Sequence, residues 1–279
     1  MTTKLGLIGE GISRSRAPRL HEYLGRLNGL DVTYELFDLL ERPGSDPLVV
    51  LQECCDAGLT AVNVTHPFKA RVAAALPRLS EAGKRIGTIN TVLFQKEGWI
   101  GHNTDFSGFK RGYVGCFSDQ SPGTVLLVGA GGVGRAVAFA LYDLKAKQIL
   151  INDVKTEMAE ELAGALREHG CDAATVANVD VADVLASVDG VANCTPIGMH
   201  QHPGVPISVA SVGTQKWAFD AIYTPLKTEF IQAFEDAGVP IMSGFELFYF
   251  QGIDAYEHFT GTTLPGDIAF EEVRGWMDD

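Results

Sequence analysis

Residues 125–141 read VLLVGAGGVGRAVAFAL, and this stretch decides the fold of the second half of the chain. Its first four residues are apolar, a glycine-rich turn follows, and a helical pattern of alanines and larger apolar residues comes next. A buried strand, a glycine turn and a helix opening are the parts of a dinucleotide-binding βα unit. Gly129 permits the tight turn, Gly131 lets the backbone approach a pyrophosphate, and Gly134 lets the helix pack on the strand. The first N–H groups of the helix and its positive dipole end then favour phosphates.

The flanking sequence supports this interpretation over a glycine-rich turn in another kind of α/β protein. A second apolar strand, 148–152, leads directly into Asp153. An acidic side chain about twenty residues after the glycines accepts hydrogen bonds from the adenosine ribose hydroxyls. The carboxylate also repels a 2′-phosphate, and Lys155 is the only cation just beyond the strand. The sequence therefore predicts NAD as the preferred cofactor, with NADP as the less favoured alternative.

Composition limits the kind of protein. The chain has 279 residues, of which 46% are hydrophobic and 20% charged, so it can build one large or two ordinary domains. A net charge of −13 argues against nucleic acid or an anionic membrane as partner. The five cysteines show no paired metal spacing, which predicts no metal site and suits a reducing compartment. Because neither a secretory signal nor a long apolar span is visible, we expect a cytoplasmic protein.

The first hundred residues also read as an α/β domain. Strands are expected at 4–9, 32–37 and 59–64, with helices between them, so this part predicts a mostly parallel sheet of its own. The stretch 243–261 is a helical pattern too apolar for a free tail, and we expect it to pack back onto this first domain.

The resulting fold prediction is an α/β protein of two domains. Residues 1–104 are predicted to form a substrate-binding and catalytic domain, 105–242 a Rossmann dinucleotide-binding domain, and 243–279 C-terminal helices that complete the first domain.

Two charged residues of the first half stand at predicted helix starts. In the segment NVTHPFK, 63–69, polar residues alternate at the end of a strand, and Pro67 is expected to open a helix that carries Lys69 in its first turn. A cation there opposes the helix dipole, which favours Lys69 as a candidate for function, with an ordinary solvated lysine as the alternative. Asp105 stands just before an amphipathic helix and could be only its N-cap.

Three loops complete the set of candidate sites. The hydroxyls and guanidiniums of 13–16 lie before a helix that starts near Pro18, and they predict either a carboxylate site or a serine-capped surface loop. The loops 195–199 and 222–225 follow predicted strands of the second domain. Because ligands bind at the carboxyl ends of such strands, we expect the nicotinamide half of a dinucleotide there.

With these pieces placed, the chain resembles the shikimate dehydrogenase family along nearly its full length. The segments that carry the resemblance are GLIGEGISRSRAP, NVTHPFK, IGTINT, GHNTDFSGF, GAGGVGRA, NCTPIGM and FDAIYTP, with the late helix from glycine to glutamine. The resemblance implies reversible hydride transfer between a nicotinamide cofactor and a ring acid, from shikimate to 3-dehydroshikimate or from quinate to 3-dehydroquinate. Asp153 stands where the NADP-dependent branch has the arginine of an Asn-Arg-Thr signature, so the chain looks like the NAD-using branch.

The resemblance also implies roles for individual residues. Lys69 and Asp105 match the catalytic pair, in which Lys69 acts as the acid–base group and Asp105 keeps it charged and aimed. The residues that match substrate contacts are Ser15, Asn63, Thr65, Asn90, Tyr223 and Gln251. The residues assigned to the cofactor are Gly129, Ala130, Gly131, Gly132, Val133, Gly134, Asn152, Asp153, Thr195, Met199 and Gly244.

The chain departs from the family pattern in two places. Ala17 stands where the family has a second carboxylate-binding hydroxyl, and Arg14 where many members have histidine. Glu246 stands where a small residue is usual, and an acid near the ring would select an analogue such as an aminoshikimate. A second alternative is a non-catalytic sensor that binds NAD and a quinate-like acid, which would not need an acid–base group. The expected partner is a small ring acid, and the expected state is a monomer or homodimer.

Overall fold

A computed structural model describes residues 2–265 and 268–276. The chain divides into two compact units. The first comprises Met1–Thr104 and Gln251–Ile268, and the second comprises Asp105–Phe250 and Ala269–Asp279. The predicted α/β class with two sheets is confirmed.

The sheet of the first unit has six strands. They are β1 Thr3–Gly9, β2 Val32–Asp38, β3 Ala61–Val64, β4 Arg78–Leu79, β5 Thr91–Leu93 and β6 Ile100–His102. Their order is β2-β1-β3-β5-β6-β4. The pairs β1/β2, β1/β3 and β4/β6 are parallel, and β5 runs antiparallel to both β3 and β6. The hairpin of β5 and β6 therefore extends an otherwise parallel sheet.

Four helices cover this sheet along the chain: α1 Ala17–Leu27, α2 Pro47–Asp56, α3 Lys69–Ala75 and α4 Glu81–Ile86. Asp46 caps α2 by accepting a hydrogen bond from the Leu48 N–H, and Ser80 caps α4 through the Gly83 N–H. Helix α4 and strand β4 were not predicted. Ser80 is a standard N-cap residue and Gly87 a left-handed C-terminal residue with φ +76°, so the signals for α4 were present in the sequence.

The predicted starts of two helices need correction. Pro67 does not open α3, because a turn closed by the Phe68 N–H on the Thr65 carbonyl intervenes and the helix begins at Lys69. Asp105 is not an N-cap, since α5 begins one residue before it, at Thr104. Both candidate residues thus lie inside the first turn of their helices.

The second unit holds a six-stranded parallel sheet. Its strands are β7 Thr124–Val128, β8 Gln148–Asn152, β9 Ala173–Thr175, β10 Gly190–Asn193, β11 Trp217–Asp220 and β12 Ile241–Met242. Their order is β12-β11-β10-β7-β8-β9. The connections run outward in opposite directions from β7 and β10, which is the doubly wound arrangement with its switch point at the ends of these two strands.

In the part of the chain that the structure describes, the helices after β6 are α5 Thr104–Phe117, α6 Gly132–Asp143, α7 Thr156–Glu168, α8 Val181–Leu185, α9 Glu229–Asp236, α10 Gly244–Thr260 and α11 Phe270–Gly275. The central strand β7 is an unbroken apolar run because it is buried on both faces, with Val125, Leu126 and Leu127 at 0% exposure. None of the described helices is long and apolar enough to cross a membrane.

The late helix α10 belongs to both units. Its residues up to Phe250 lie in the second unit, and those from Gln251 onward lie in the first. The segment 243–279 is thus divided between the units rather than assigned as a whole to the first, and the functional assignment of the three predicted segments stays a prediction.

Candidate active site

The glycine turn between β7 and α6 leaves a space beside the backbone. Gly129 has φ +98°, and a Cβ added there would lie 2.8 Å from the carbonyl carbon of Cys194. At Gly134 an added Cβ would collide with the Gly129 carbonyl oxygen, so helix and strand are in close contact. A Cβ at Gly131, the N-cap of α6, would meet no other described heavy atom within 4 Å, its chain neighbours apart. Tight packing behind the turn and open space in front of it suit a pyrophosphate.

Asp153 is hydrogen-bonded to this turn. Its Oδ2 accepts the Ala130 N–H at 2.7 Å, and its Oδ1 accepts the Lys155 N–H at 2.8 Å. The Asn152 carbonyl accepts the Gly129 N–H at 2.8 Å, so the end of β8 holds the turn at two points. A carboxylate has about four acceptor positions, so the half-buried Asp153 retains acceptor capacity for ribose hydroxyls.

The side chain of Asn152 has a structural role that the sequence did not indicate. It is 5% exposed, and its amide donates to the Val176 carbonyl at 3.0 Å and to Asn178 Oδ1 at 2.8 Å. The amide therefore joins the end of β8 to the segment after β9. Its predicted contact with the cofactor stays a prediction, as do those of the half-buried Gly132 and Val133 in the first turn of α6.

Three further predicted residues lie on loops at the carboxyl edge of the same sheet. Thr195 and Met199 follow β10 and are half-buried, and the Tyr223 ring after β11 stacks on Phe248 with centroids 4.9 Å apart. Gly244, the first residue of α10, packs so closely that an added Cβ would lie 2.5 Å from the Ala221 carbonyl oxygen. Sequence reasoning missed two residues that hold these loops, Asn193 and Asp220, because their role depends on a pairing between strands.

In the first unit, Asn63 is held by three hydrogen bonds. Its Oδ1 accepts the Tyr34 hydroxyl at 2.8 Å, and its amide donates to the Asn90 carbonyl at 3.0 Å and to Thr91 Oγ1 at 3.1 Å. The residue is 7% exposed. Both amide hydrogens of Asn63 have protein partners. Its Oδ1 has a second lone pair, so this oxygen is the atom best suited to accept a hydrogen bond from a substrate hydroxyl.

Asn90 and Gln251 come together although 161 positions separate them in the chain. Asn90 Oδ1 accepts the Thr104 N–H at 2.7 Å, and its amide donates to Thr104 Oγ1 at 2.9 Å and to Gln251 Oε1 at 3.3 Å. The side-chain oxygen of Gln251, Oε1, thereby faces Asn90, and this hydrogen bond orients the side-chain amide of Gln251. The polar cluster of IGTINT, GHNTD and the late helix is thus one connected network.

Lys69 and Asp105 are both buried, at 8% and 5% exposure. The interpretation of Lys69 as an ordinary solvated lysine is therefore wrong. Burial removes the hydration of its ammonium group, and its place at the start of α3 opposes the helix dipole. Asp105 lies at the favourable end of α5, so the dipole alone is a structural reason for its position.

The loop before α1 is held by a residue that the sequence did not single out. Asp38 accepts the Gly11 N–H at 2.9 Å and the Ile12 N–H at 2.8 Å. Further along the loop, Ser15 Oγ accepts the Ala17 N–H at 3.2 Å, which leaves its hydroxyl hydrogen to be donated elsewhere. Arg14 is exposed, whereas Ser15 and Ala17 are half-buried.

Glu246 is a helix-capping residue. Its Oε2 accepts the Ser243 N–H at 2.8 Å and the Ser243 hydroxyl at 2.6 Å, and its Oε1 lies 3.4 Å from Arg274. In a capping box the glutamate at the third helical position accepts the backbone N–H of the N-cap serine, and Glu246 does this for Ser243 at the start of α10. The Ser-x-x-Glu spacing of 243–246 indicates such a box in the sequence. The idea that this acid selects a substrate analogue is thus replaced by a structural role. Within residues 2–265 and 268–276, no group of three or more His, Cys, Asp or Glu is placed to hold a metal ion.

Comparison with known proteins is consistent with this geometry. The sequence model of the shikimate dehydrogenase substrate binding domain matches residues 7–92. The quinate/shikimate dehydrogenase (NAD(+)) of Corynebacterium glutamicum (strain R) is 36% identical over 271 residues, which cover 95% of each chain. The chain belongs to the shikimate dehydrogenase family. The resemblance inferred from the motifs is therefore confirmed.

Relatives with a similar sequence identity to this chain differ in the cofactor that their names state. The shikimate dehydrogenase (NADP(+)) of Pseudarthrobacter chlorophenolicus is also 36% identical, over 263 residues that cover 92% of this chain and 89% of the other. Among solved structures, quinate dehydrogenase from Corynebacterium glutamicum in complex with NAD is 34% identical, with a TM-score of 0.91 and coverage of 98% and 99%. Overall identity thus does not separate NAD from NADP.

Proposed function

We propose that this chain is an NAD-dependent dehydrogenase that interconverts the hydroxyl and ketone of a cyclohexene or cyclohexane polyol acid, shikimate or quinate. The observation that carries the proposal is the buried Lys69 at the first position of α3, which follows β3, the strand that holds Asn63, after one turn. A cation that is withdrawn from water at the start of a helix needs compensation from its surroundings, and titratable groups in such environments are typical of sites that carry chemistry. The relatives named above are quinate or shikimate dehydrogenases.

Lys69 is proposed as the acid–base group. Its ammonium donates a hydrogen bond to the ketone oxygen, which stabilises the negative charge that develops there, and then transfers a proton to that oxygen. In the reverse direction the amine accepts the proton of the hydroxyl. NAD(H), held by the glycine turn and Asp153, supplies or accepts the hydride when it is bound.

Asp105 is proposed as the partner that keeps Lys69 charged and aimed. The ring hydroxyls are assigned to Asn63, Thr65, Asn90 and Gln251. The ordered network around Asn90 supports this, since preorganised polar groups bind a polyol without a large loss of side-chain entropy. Ser15 is proposed to donate to the substrate carboxylate, and Tyr223 to contact the substrate near the nicotinamide.

NAD is proposed as the preferred cofactor because of Asp153. Its carboxylate is already oriented by two backbone N–H groups, so it can accept from ribose hydroxyls but would repel a 2′-phosphate. The roles of Thr195, Met199 and Gly244 beside the nicotinamide half belong to the same proposal.

The two alternatives have less support. Glu246 is engaged by Ser243 and Arg274, so it offers no reason to expect an amino analogue. A non-catalytic sensor would not need the acid–base group that Lys69 is proposed to be. A cytoplasmic location, a monomeric or homodimeric state, and the absence of a nucleic-acid partner stay predictions.

The decisive experiment is a matrix of shikimate and quinate against NAD and NADP, with cofactor reduction followed by absorbance. We expect turnover of at least one acid, and a kcat/KM for NAD at least about tenfold above that for NADP, which corresponds to roughly 1.4 kcal/mol of discrimination. Binding of both ligands without turnover would support the sensor instead. A clear preference for NADP would contradict the assignment of Asp153.

A further inference from the structure

Two neighbouring strands of the second unit end in a pair of fully buried polar residues. Asn193 is the last residue of β10 and Asp220 the last of β11, and the two are opposite each other in the parallel register. Both are 0% exposed. The Asn193 amide donates to Asp220 Oδ1 at 3.0 Å, so the two side chains form one hydrogen-bonded pair.

Asn193 holds the loop that follows its own strand. Its Oδ1 accepts the Thr195 N–H at 3.0 Å and the Thr195 hydroxyl at 2.7 Å. Its amide also donates to the Ile197 carbonyl at 3.2 Å. Thr195 Oγ1 in turn accepts the Ile197 N–H at 3.1 Å, so the start of this loop is fully tied to one side chain.

Asp220 holds the other loop in the same way. Its Oδ1 accepts the Ile222 N–H at 3.1 Å, and its Oδ2 accepts the Thr228 hydroxyl at 2.6 Å. Thr228 is the N-cap of α9 and accepts the Ile231 N–H at 3.1 Å. Tyr223 lies between these two anchored points, and its loop therefore has its beginning and end attached to one carboxylate.

The two loops also pack on each other and on the glycine turn. A Cβ added at Gly198 would lie 2.9 Å from Ile222 Cδ1, and one added at Gly129 would lie 3.0 Å from Thr195 Cγ2. A shift of the pair at the strand ends would therefore move both loops together, including Tyr223 and the residues after Thr195 that are proposed to meet the nicotinamide half.

A buried carboxylate is an expensive way to stabilise a fold. Burial raises the pKa of Asp220 to about 6, although its hydrogen bonds to Thr228, Ile222 and Asn193 oppose the rise. Burial also raises the pKa of the Cys194 thiol, and the negative charges of Asp220 and Asp105 add to that effect. Because apolar residues often replace buried charges without loss of stability, the pair calls for a reason other than stability.

We propose that Asn193 and Asp220 form a positioning pair that sets both loops for the nicotinamide half of the dinucleotide, without touching the cofactor themselves. This inference rests on the proposed function. It predicts that damage to the pair weakens binding of the nicotinamide half and leaves the adenosine diphosphate half bound as before.

The test compares NADH with ADP-ribose, which lacks nicotinamide, by titration calorimetry on the full-length protein. For Asn193→Ala we expect the Kd of NADH to rise about tenfold, since several buried hydrogen bonds are lost, while the Kd of ADP-ribose changes by less than about twofold. Asp220→Asn keeps the shape but removes the charge and one acceptor, so the same selective effect is expected to be smaller. This second variant also keeps the test valid if Asn193→Ala does not fold.

A matched control lies at the opposite, amino ends of the same strands. Asp189, just before β10, accepts the Thr124 N–H at 2.8 Å and pairs with Lys216 at 2.9 Å. Asp189→Asn should alter neither Kd by more than about twofold, because it lies at the amino ends of the strands, away from the ligand edge of such a sheet.

An equal loss of affinity for both ligands, or no loss for NADH in either variant, would overturn the positioning role. Failure of the proposed function is distinguishable, because the unaltered protein would then bind neither NADH nor ADP-ribose, or would bind both and turn over no ring acid.

Discussion

The carboxylate of Asp153 accepts a hydrogen bond from the backbone N–H of Ala130, with the two atoms 2.7 Å apart. The residue proposed to select the cofactor is therefore also one of the groups that hold the glycine turn in place. The proposed selection of the ribose and the support of the glycine turn would then reside in one side chain. We therefore expect a substitution at Asp153 to affect the affinity for either cofactor as well as the choice between them.

Asp153→Asn separates these two effects. The amide keeps one acceptor oxygen for the turn but removes the negative charge that repels a 2′-phosphate. We expect the ratio of kcat/KM for NADP to that for NAD to rise at least about tenfold, and the KM for NAD to rise by a smaller factor. Asp172→Asn, an exposed aspartate bonded to Gln148, is the control and should leave the ratio unchanged. An unchanged ratio in Asp153→Asn would contradict the assignment.

Lys69→Ala tests the acid–base role. We expect kcat to fall at least about a hundredfold, with a smaller effect on substrate binding, because the proton donor is lost while the ring contacts remain. Arg71→Ala is the control: this cation lies on the same helix but is exposed and pairs with Asp46. Its kcat should stay within about twofold of the original. A Lys69→Ala enzyme with near-normal kcat would remove Lys69 from the mechanism.

Ala17→Ser tests the proposed carboxylate loop by restoring a hydroxyl. Ala17 follows Ser15 by two positions and is half-buried, so a second donor is placed beside the first. We expect the KM for the ring acid to fall about ten- to a hundredfold while kcat changes little, as one hydrogen bond to a charged group is gained. Ala57→Ser, at an exposed helix end, should have no effect. An unchanged KM in Ala17→Ser would place the carboxylate elsewhere.

Glu246→Ala should reduce stability rather than change specificity. Loss of the capping box is expected to lower the free energy of unfolding by about 1–2 kcal/mol, measured by urea denaturation. The ratio of kcat/KM for quinate to that for shikimate should not change. Ser243→Ala removes the other half of the same box, and the double variant should be less destabilised than the sum of the two. A changed substrate ratio with unaltered stability would instead support a site for Glu246 near the substrate.

His21 should make the protein sensitive to acid. It is 1% exposed, its ring stacks on Tyr34 with centroids 4.9 Å apart, and burial lowers its pKa to about 3 from 6.5. Between those two pKa values the unfolded chain binds more protons than the native state. The contribution of His21 to the free energy of unfolding is therefore complete above pH 6.5 and is lost as the pH falls toward 3. We expect the unfolding free energy to decrease from pH 7 to pH 4, by up to roughly 1.4 kcal/mol per pH unit.

The variant His21→Phe isolates this effect. Among the residues that the structure describes, His21 Nδ1 has no hydrogen-bond partner, and phenylalanine removes the titrating group while it keeps the ring packing. The pH dependence should become flatter in this variant. Asp220 acts in the opposite sense, because its pKa is raised from 3.8 to about 6 and stability declines as the pH rises through that range. Only the difference between variant and original therefore reports on His21, and equal slopes would show that His21 is not buried neutral.

Local patterns predicted the elements of the fold well, but less so the boundaries that depend on a few hydrogen bonds. The apolar run before Gly129 and the acid after β8 were readable because strand, turn and acid are close in sequence. The start of α3 at Lys69 could not be predicted from the sequence, because it depends on a turn between Thr65 and Phe68. Glu246 was readable as a capping residue from its spacing to Ser243, although a functional interpretation was given to it first.

The amino-acid sequence by itself determined the α/β class, the dinucleotide turn, the family and the residues that carry the proposed chemistry. These depend on residue type, periodicity and short spacing, which are present in the unfolded chain. Only the tertiary structure decided that Lys69 and Asp105 are buried, that Asn90 reaches Gln251, and that Asp220 and Asn193 hold two loops together. Burial and pairing across strands depend on distances between residues far apart in the chain, and those distances exist only once the sheets have formed.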